Sequence, residues 1–213
     1  GKVIKTEPKK TQVVKENEKI TLYISTGKPE VKVKVPDVIG LTGETAKKKL
    51  EEEKLTVKVE EIQLTKTDKY YPIGVVAKQD PSSSKTDAAE GETVTIYVCA
   101  GYKFNLEVSL PMDYTETFNI SLWEDGVLVN KGQTVDSTAR STYTFKDLVT
   151  KKEKATYTVK ISEDGKNDYN YMKVTFDANA WRFEENDSVA NYPLGGSSSD
   201  SSSNVSSNLP NVG

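Results

Sequence analysis

The stretch VPDVIGLTGETAKKKLEEEKLTVKV, residues 35–59, decides how the chain is read. Just before and into it, VKVKV at 31–35 alternates β-branched and charged residues, the pattern of a half-buried strand, and Pro36 closes that pattern. Ala46 and Leu50 then stand four apart. With Leu41 before them and Leu55 after, they form a narrow apolar stripe at helical spacing. Lys47, Lys48 and Lys49 face water with Glu51, Glu52 and Glu53 in i, i+4 pairs. Thr42 stands where an N-cap hydroxyl is needed and Glu44 suits the positive end of the helix dipole, so a helix is predicted over 43–54. Strand patterns follow in LTVKVEEIQL (55–64), IGVVAKQ (73–79) and TVTIYVCAG (93–101). The reading is an α+β unit, one helix laid on a small sheet, with so small a core that local pairing or neighbouring copies must support it.

Working outward, the unit is repeated. GKVIKTEP (1–8) matches GVVAKQDP (74–81) at an offset of 73. After one inserted residue, Glu18, Ile20, Leu22, Tyr23, Ile24 and Gly27 fall on Glu92, Val94, Ile96, Tyr97, Val98 and Gly101. The expected organisation is the second half of one copy at 1–28, opening within the module, and a complete copy at 29–101. From Tyr102 the pattern changes to strands alone. Phe104, Leu106, Val108 and Leu110 alternate, as do Phe118, Ile120 and Leu122, then Val127 and Val129. Asp125-Gly126 is a hairpin signal, and 162–168 (SEDGKND) joins Tyr157, Val159 and Ile161 to Met172, Val174 and Phe176. About seven short strands in some eighty residues predict an immunoglobulin-like β-sandwich at 102–183, its core resting on aliphatics and on rings such as Tyr143 and Phe145, with Trp123 a further candidate. The Ser- and Asn-rich stretch 184–213 is expected to be disordered.

Composition removes most enzyme classes. Of 213 residues 35% are hydrophobic and 29% charged, which favours several small modules over one deep core. There is no histidine, so no Ser-His-Asp or Cys-His catalytic group and no HExxH zinc site can be built. Cys99 is the single cysteine and aligns with Ser25 of the first copy, so a structural, buried role is expected and no disulfide can form within the chain. Net charge is −3, with 18 Lys against 16 acids through Gly101 and 11 Lys and Arg against 16 acids afterwards. Arg140 and Arg182 are the only arginines, and neither half carries the basic surface that nucleic acid requires. No apolar run reaches the length of a membrane span and no signal-peptide pattern is present.

Over 35–59, followed by YPIGVVAKQDPSSSKTDAAEGETVTIYVCAG (71–101), the sequence resembles a PASTA domain, the module of penicillin-binding proteins and bacterial receptor Ser/Thr kinases. Val35-Pro36-Asp37-Val38-Ile39-Gly40, Ala46, Leu50, Gln79, Pro81 and Gly91 carry the resemblance. Two positions depart from the pattern: Lys54 stands where many members have glycine, and Asn17 takes the place of Gly91 in the first copy. PASTA repeats followed by an immunoglobulin-like domain resemble the extracellular region of Gram-positive receptor kinases, of the type linked to cell-wall sensing and germination. The resemblance implies an elongated, non-catalytic rod on the outer side of the membrane, in the cell-wall zone, within a single-pass protein. It implies binding of peptidoglycan fragments (muropeptides) or lipid-linked wall precursors, with ligand-driven homodimerisation that pairs kinase domains. ATP and Mg would belong to the kinase domain, since GxGxxG, HRD and DFG are absent here and this chain needs no cofactor. Three other readings remain open: a structural spacer, a C-terminal accessory region of a penicillin-binding protein, or adhesion and partner binding by the tyrosine-rich, acidic sandwich.

A wall-fragment site needs hydrogen-bonding groups, a flat apolar face and charge opposite to the stem peptide. Lys69, Tyr70, Tyr71, Lys78, Gln79 and Glu92 supply such groups in the complete copy. The same residues also allow a plain reading, in which Tyr71 packs on Pro72, Gln79 ends the strand and the lysines are solvated. In relatives that take diaminopimelate-type peptides an arginine is credited with gripping the extra carboxylate. This copy has none, and lysine supplies the charge without the two-pronged geometry. Asp164 and Asp168 miss the spacing of a calcium loop, so no metal site is expected. Asn119, Asn186 and Asn204 begin formal glycosylation sequons.

Overall fold

The computed structural model describes residues 1–27, 31–84, 88–110, 117–136, 138–163 and 167–187. It is mostly β structure with one α-helix among the described residues. The first element is a hairpin of β1 (Val3–Glu7) and β2 (Thr21–Ile24). The second unit contains β3 (Lys32–Val33), α1 (Gly43–Glu52), β4 (Thr56–Leu64), β5 (Val76–Asp80), β6 (Ala88–Ala89) and the first half of β7 (Thr93–Ser109). β4 runs parallel to β7 on one edge and β5 antiparallel on the other, while β3 and β6 form a separate two-stranded ribbon.

The helix forms where the apolar stripe placed it. Thr42 caps it, with its Oγ1 accepting from the Thr45 amide at 3.3 Å, and Ala46 and Leu50 are fully buried against Val35, Val38, Val76, Val94 and Ile96. Burying a side chain the size of Leu50 contributes about 1.5–3 kcal/mol, which is why so small a sheet retains its helix. The helix ends at Glu52, two residues before the predicted end, because Lys54 adopts the left-handed conformation (φ 59°). The amides of Lys54 and Leu55 then donate to the carbonyls of Glu51 and Leu50, satisfying the last turn.

The two hairpins share one register. Val3, Lys5, Thr6 and Glu7 face Ile24, Tyr23, Leu22 and Thr21, and the residues 73 or 74 positions on, Val76, Lys78, Gln79 and Asp80, face Val98, Tyr97, Ile96 and Thr95. Both have their irregularity at the same place, between Val3 and Lys5 and between Val76 and Lys78. Asn17 (φ 70°) and Gly91 (φ 83°) occupy the same left-handed position before the last strand.

β7 does not stop where the sequence pattern changes. It runs unbroken through Gly101, and β11 (Thr142–Thr150) takes over from β5 along the same edge, starting with Thr150 opposite Tyr102. Opposite Ile62 and Gln63 of β4 stand Cys99 and Gly101, so Ala100 is an extra residue in β7. An inserted residue reverses which alternate side chains face in. Val94, Ile96 and Val98 therefore pack under the helix, whereas Cys99, Tyr102, Phe104, Leu106 and Val108 belong to a second core.

That second core lies between the β7–β11 pair and a six-stranded sheet. The sheet holds β8 (Thr117–Glu124), β9 (Val127–Asn130), β10 (Thr134–Asp136), β12 (Lys154–Ser162), β13 (Tyr169–Asp177) and β14 (Arg182–Asp187). Phe104 fixes the contact, stacking on Phe176 at 4.0 Å between centroids and meeting Tyr157 and Phe183 edge-on. Asp125 (φ 48°) and Gly126 (φ 81°) form the tight turn between β8 and β9 that their sequence announces. Phe145 is buried and Tyr143 partly buried in this core, but Trp123 is not part of it. It lies on the outward face of β8, because Phe118, Ile120 and Leu122 take the inward positions of the alternation.

The expectation of disorder from residue 184 is corrected for its first four residues. β14 extends to Asp187, pairing Glu184 with Thr175, Glu185 with Val174 and Asp187 with Lys173. Edge pairing is made by backbone groups, so this segment needs little apolar character beyond Phe183, which is buried. Residues 188–213 lie outside the described residues.

Two substitutions test this framework. Lys54→Gly removes the left-handed penalty of a side chain and loses part of the gain in unfolded-chain entropy, so a net stabilisation of about 0.5–1 kcal/mol is expected by urea denaturation. Gly101→Ala would put a Cβ 2.6 Å from the Thr150 carbonyl oxygen. A loss of about 1–3 kcal/mol is expected, read by denaturation probes in both cores because both share the strand.

Candidate functional site

The six residues nominated from the sequence are placed by three different elements. Gln79, on β5, faces inward and is 5% exposed. Its Oε1 accepts from the Val38 amide at 2.9 Å, and its Nε2 donates to the carbonyls of Pro36 at 3.1 Å and Pro81 at 3.2 Å. The amide thus supplies hydrogen bonds to the irregular Val35–Val38 backbone, which no ladder could serve. Glu92 closes the turn before β7, its Oε2 accepting from the Ala89 amide at 3.0 Å while its own amide donates to the Ala89 carbonyl. Glu18 makes the same pair of bonds with Lys15 in the first copy, so the repeat keeps the acid for the turn.

Tyr70 and Tyr71 lie against Tyr102, midway along β7, roughly 30 Å from Glu92 at the usual rise of a strand. They are half-buried in the junction between the two cores. Tyr70 stacks on Tyr102 with ring centroids 5.9 Å apart, and the Tyr102 hydroxyl donates to the Tyr71 carbonyl at 3.0 Å. Trp181 meets the other side of Tyr102 edge-on at 6.2 Å. Burial pushes the Tyr70 and Tyr102 phenols above their ordinary range, so both stay protonated donors. Lys69 lies outside this cluster, its ammonium 5.3 Å from the Tyr71 ring centroid. Cys99 is buried beside it, with its Sγ 3.7 Å from the Gly101 carbonyl, and burial raises the thiol, so it acts as core and not as a nucleophile.

Lys78 is the nominated residue that reaches open sheet surface. It points away from α1, and its ammonium lies 5.2 Å from the ring centroid of Tyr97 across the β5–β7 pair. Glu60, opposite Tyr97 on β4, extends the row and binds Lys58 at 2.7 Å, raising that lysine further. The first hairpin repeats the arrangement. Lys5 covers Tyr23 at 5.0 Å and bonds Glu7, whose carboxyl it holds below the usual range with help from the Tyr23 hydroxyl at 2.9 Å. Tyr97 was not nominated from the sequence. The signal was present, since Lys5 and Tyr23 recur as Lys78 and Tyr97 at the repeat offsets.

A separate cleft of about 430 Å³ lies beside the helix, lined by Lys34, Val35, Pro36, Asp37, Lys49, Glu53 and Ser83. Lys49 bridges it, donating to the Asp37 carbonyl at 2.8 Å. Among the described residues no group of three His, Cys, Asp or Glu is placed to hold a metal, and Asp164 lies outside them. The surface so assembled offers cations over aromatic faces and fixed backbone polar groups, which suits binding.

Residues 33–100 match the PASTA domain family. The chain carries a PASTA domain. Across 47% of its length it is 32% identical to the probable serine/threonine-protein kinase PknB of Lactococcus lactis subsp. lactis, over 109 residues and 16% of that protein. It is 35% identical to the serine/threonine-protein kinase PrkC of Bacillus subtilis over 102 residues, again 47% of this chain and 15% of the relative. A solved structure, from X-ray studies of the entire extracellular region of the Ser/Thr kinase PrkC from Staphylococcus aureus, aligns with 75% of this chain and 55% of that one, at 21% identity and a TM-score of 0.28. The chain therefore spans only about a sixth of the length of the curated relatives it matches.

Within the PASTA domain, Gln79 is expected to be architectural. Gln79→Ala leaves the Val38 amide and two proline carbonyls without their side-chain partner, and a loss of about 2–3 kcal/mol in denaturant titration is the expected result.

Proposed function

We propose that this chain is part of the extracellular sensor region of a membrane Ser/Thr protein kinase, lying in the cell-wall zone and binding muropeptides or wall precursors so as to bring kinase domains together. The observation that carries the reading is the PASTA match at 33–100, combined with curated relatives that are both Ser/Thr kinases. On this reading residues 1–28 are the second half of a further PASTA module, as the shared register of the two hairpins supports, and the region from 102 is an immunoglobulin-like cap. Among the described residues no helix is long and apolar enough to cross a membrane, so attachment to one would be made elsewhere in the protein. The ligand-facing residues are Lys78 with Tyr97, and Lys69 with Tyr71 beside the junction of the two cores. Gln79, Glu92 and Tyr70 would hold the frame that presents them.

The spacer reading is favoured by a specific fact: three of the six nominated residues spend their polar groups or rings on internal contacts. Amide spectra of the chain titrated with a disaccharide-pentapeptide muropeptide separate the two. The sensor reading expects saturable shifts at Lys78 and Tyr97 that weaken about tenfold in Lys78→Ala, the loss of one charge-assisted contact. Unchanged spectra at saturating muropeptide would establish the spacer.

A further inference from the structure

The outward face of the six-stranded sheet holds a cleft of about 440 Å³ that the PASTA reading does not use. Cross-strand pairing builds its floor: Thr134 of β10 faces Asn119 of β8, which faces Ser162 of β12. Trp123 stands further along β8, and Gln133 and Asp168 contribute to the rim. Ser162 is 3% exposed, yet its Oγ has no hydrogen-bond partner among the described residues. A buried hydroxyl left unpaired is costly, and Ser162 lines the cleft, so a ligand group that reaches its Oγ supplies the missing partner.

The other groups are held ready. The Trp123 indole N–H donates to Ser121 Oγ at 2.9 Å, which fixes the ring, and Thr134 Oγ1 donates to Asn119 Oδ1 at 2.7 Å, which fixes the amide. The Lys160 ammonium lies 3.9 Å from the Trp123 ring centroid. The ring thus already receives a positively polarised group on its face, the same electrostatic demand that the C–H face of a sugar ring satisfies. Lysine is flexible enough to swing aside. Charge in the lining is balanced, Lys131 against Asp168, and the hydroxyls and side-chain amides both donate and accept. Phosphates would meet a carboxylate and no arginine, whereas a neutral polyhydroxylated molecule finds a flat ring and a set of two-way hydrogen-bonding groups.

We propose that this cleft is a glycan-binding site, taking a pyranoside chain whose flat ring stacks on Trp123 while Ser162 and Asn119 bond its hydroxyl or acetamido groups. The site belongs to the second core and does not depend on ligand binding by the PASTA domain. Titration of the full chain with chitotetraose and with cellotetraose, followed by amide and indole N–H spectra, tests it. At least one of the two glycans is expected to shift the Trp123 indole and the amides of Ser162 and Thr134 saturably, with a dissociation constant of about millimolar. Trp123→Ala should weaken binding at least about tenfold. Ser162→Ala should also weaken it while leaving the unliganded protein as stable or more so, because the change deletes an unpaired buried hydroxyl; a hydroxyl with a purely structural role would lower stability instead. Silence of the Trp123 indole with both glycans at about 10 mM, or wild-type affinity in both variants, would overturn the proposal. Shifts confined to Lys78 and Tyr97 would overturn it as well, while leaving the sensor reading of the PASTA domain intact.

Discussion

One strand supports both hydrophobic cores, and the extra residue at Ala100 is what allows it. A strand offers two faces, and without that insertion the even-numbered side chains of β7 would all point the same way. With it, Val94, Ile96 and Val98 serve the helix-covered sheet, and Tyr102, Phe104, Leu106 and Val108 serve the sandwich-like second core. Two nearby features follow from this crossing point. Gly101 carries no side chain because the Thr150 carbonyl occupies the space, and Tyr102 sits between Tyr70 and Trp181 because it is the first ring past the reversal. The junction is thereby packed and hydrogen-bonded, where tandem modules are commonly joined by a loose linker.

The PASTA domain divides its residues between frame and surface, and the repeat shows which is which. Glu18 and Glu92 close the same turn, and Asn17 and Gly91 take the same left-handed position, so these positions preserve shape. Gln79 has no counterpart amide in the first hairpin, where Thr6 stands at its register position. Its role is tied to the Val35–Val38 segment that it bonds. The Lys–Tyr pairs also recur, but on the outward face, where shape alone makes no demand for a cation over a ring. That contrast is the physical basis for treating Lys78 and Tyr97 as surface chemistry and Gln79 as framework.

Much of this was legible in the residues. The spacing of Ala46 and Leu50 located the helix, Asp125-Gly126 located a hairpin, and the offset copies foretold a shared register. What escaped has identifiable causes. The reversal at Ala100 is a property of pairing between β4 and β7, and no periodicity within one segment discloses it. β14 is held by backbone bonds to β13, so its acidic Glu184–Asp187 sequence looks like the start of a polar tail. Trp123 is large and aromatic, and composition assigns such rings to a core; the alternation of Phe118, Ile120 and Leu122 on the same strand is the stronger signal and puts it outside. Of the nominated site, residue type identified groups able to bind a ligand, but only the three-dimensional bonds of Gln79 and Glu92 reveal that those groups are already engaged.

The parity reversal also bears on how such a chain can be rearranged by recombination. A cut at the module's apparent end, after Gly101, would separate β7 from the half that pairs with β11 and leave a new partner to rebuild the strand in phase. Grafting the distal unit onto another module would need the donor segment through Ser109, together with the one-residue offset, to travel as a single inherited block.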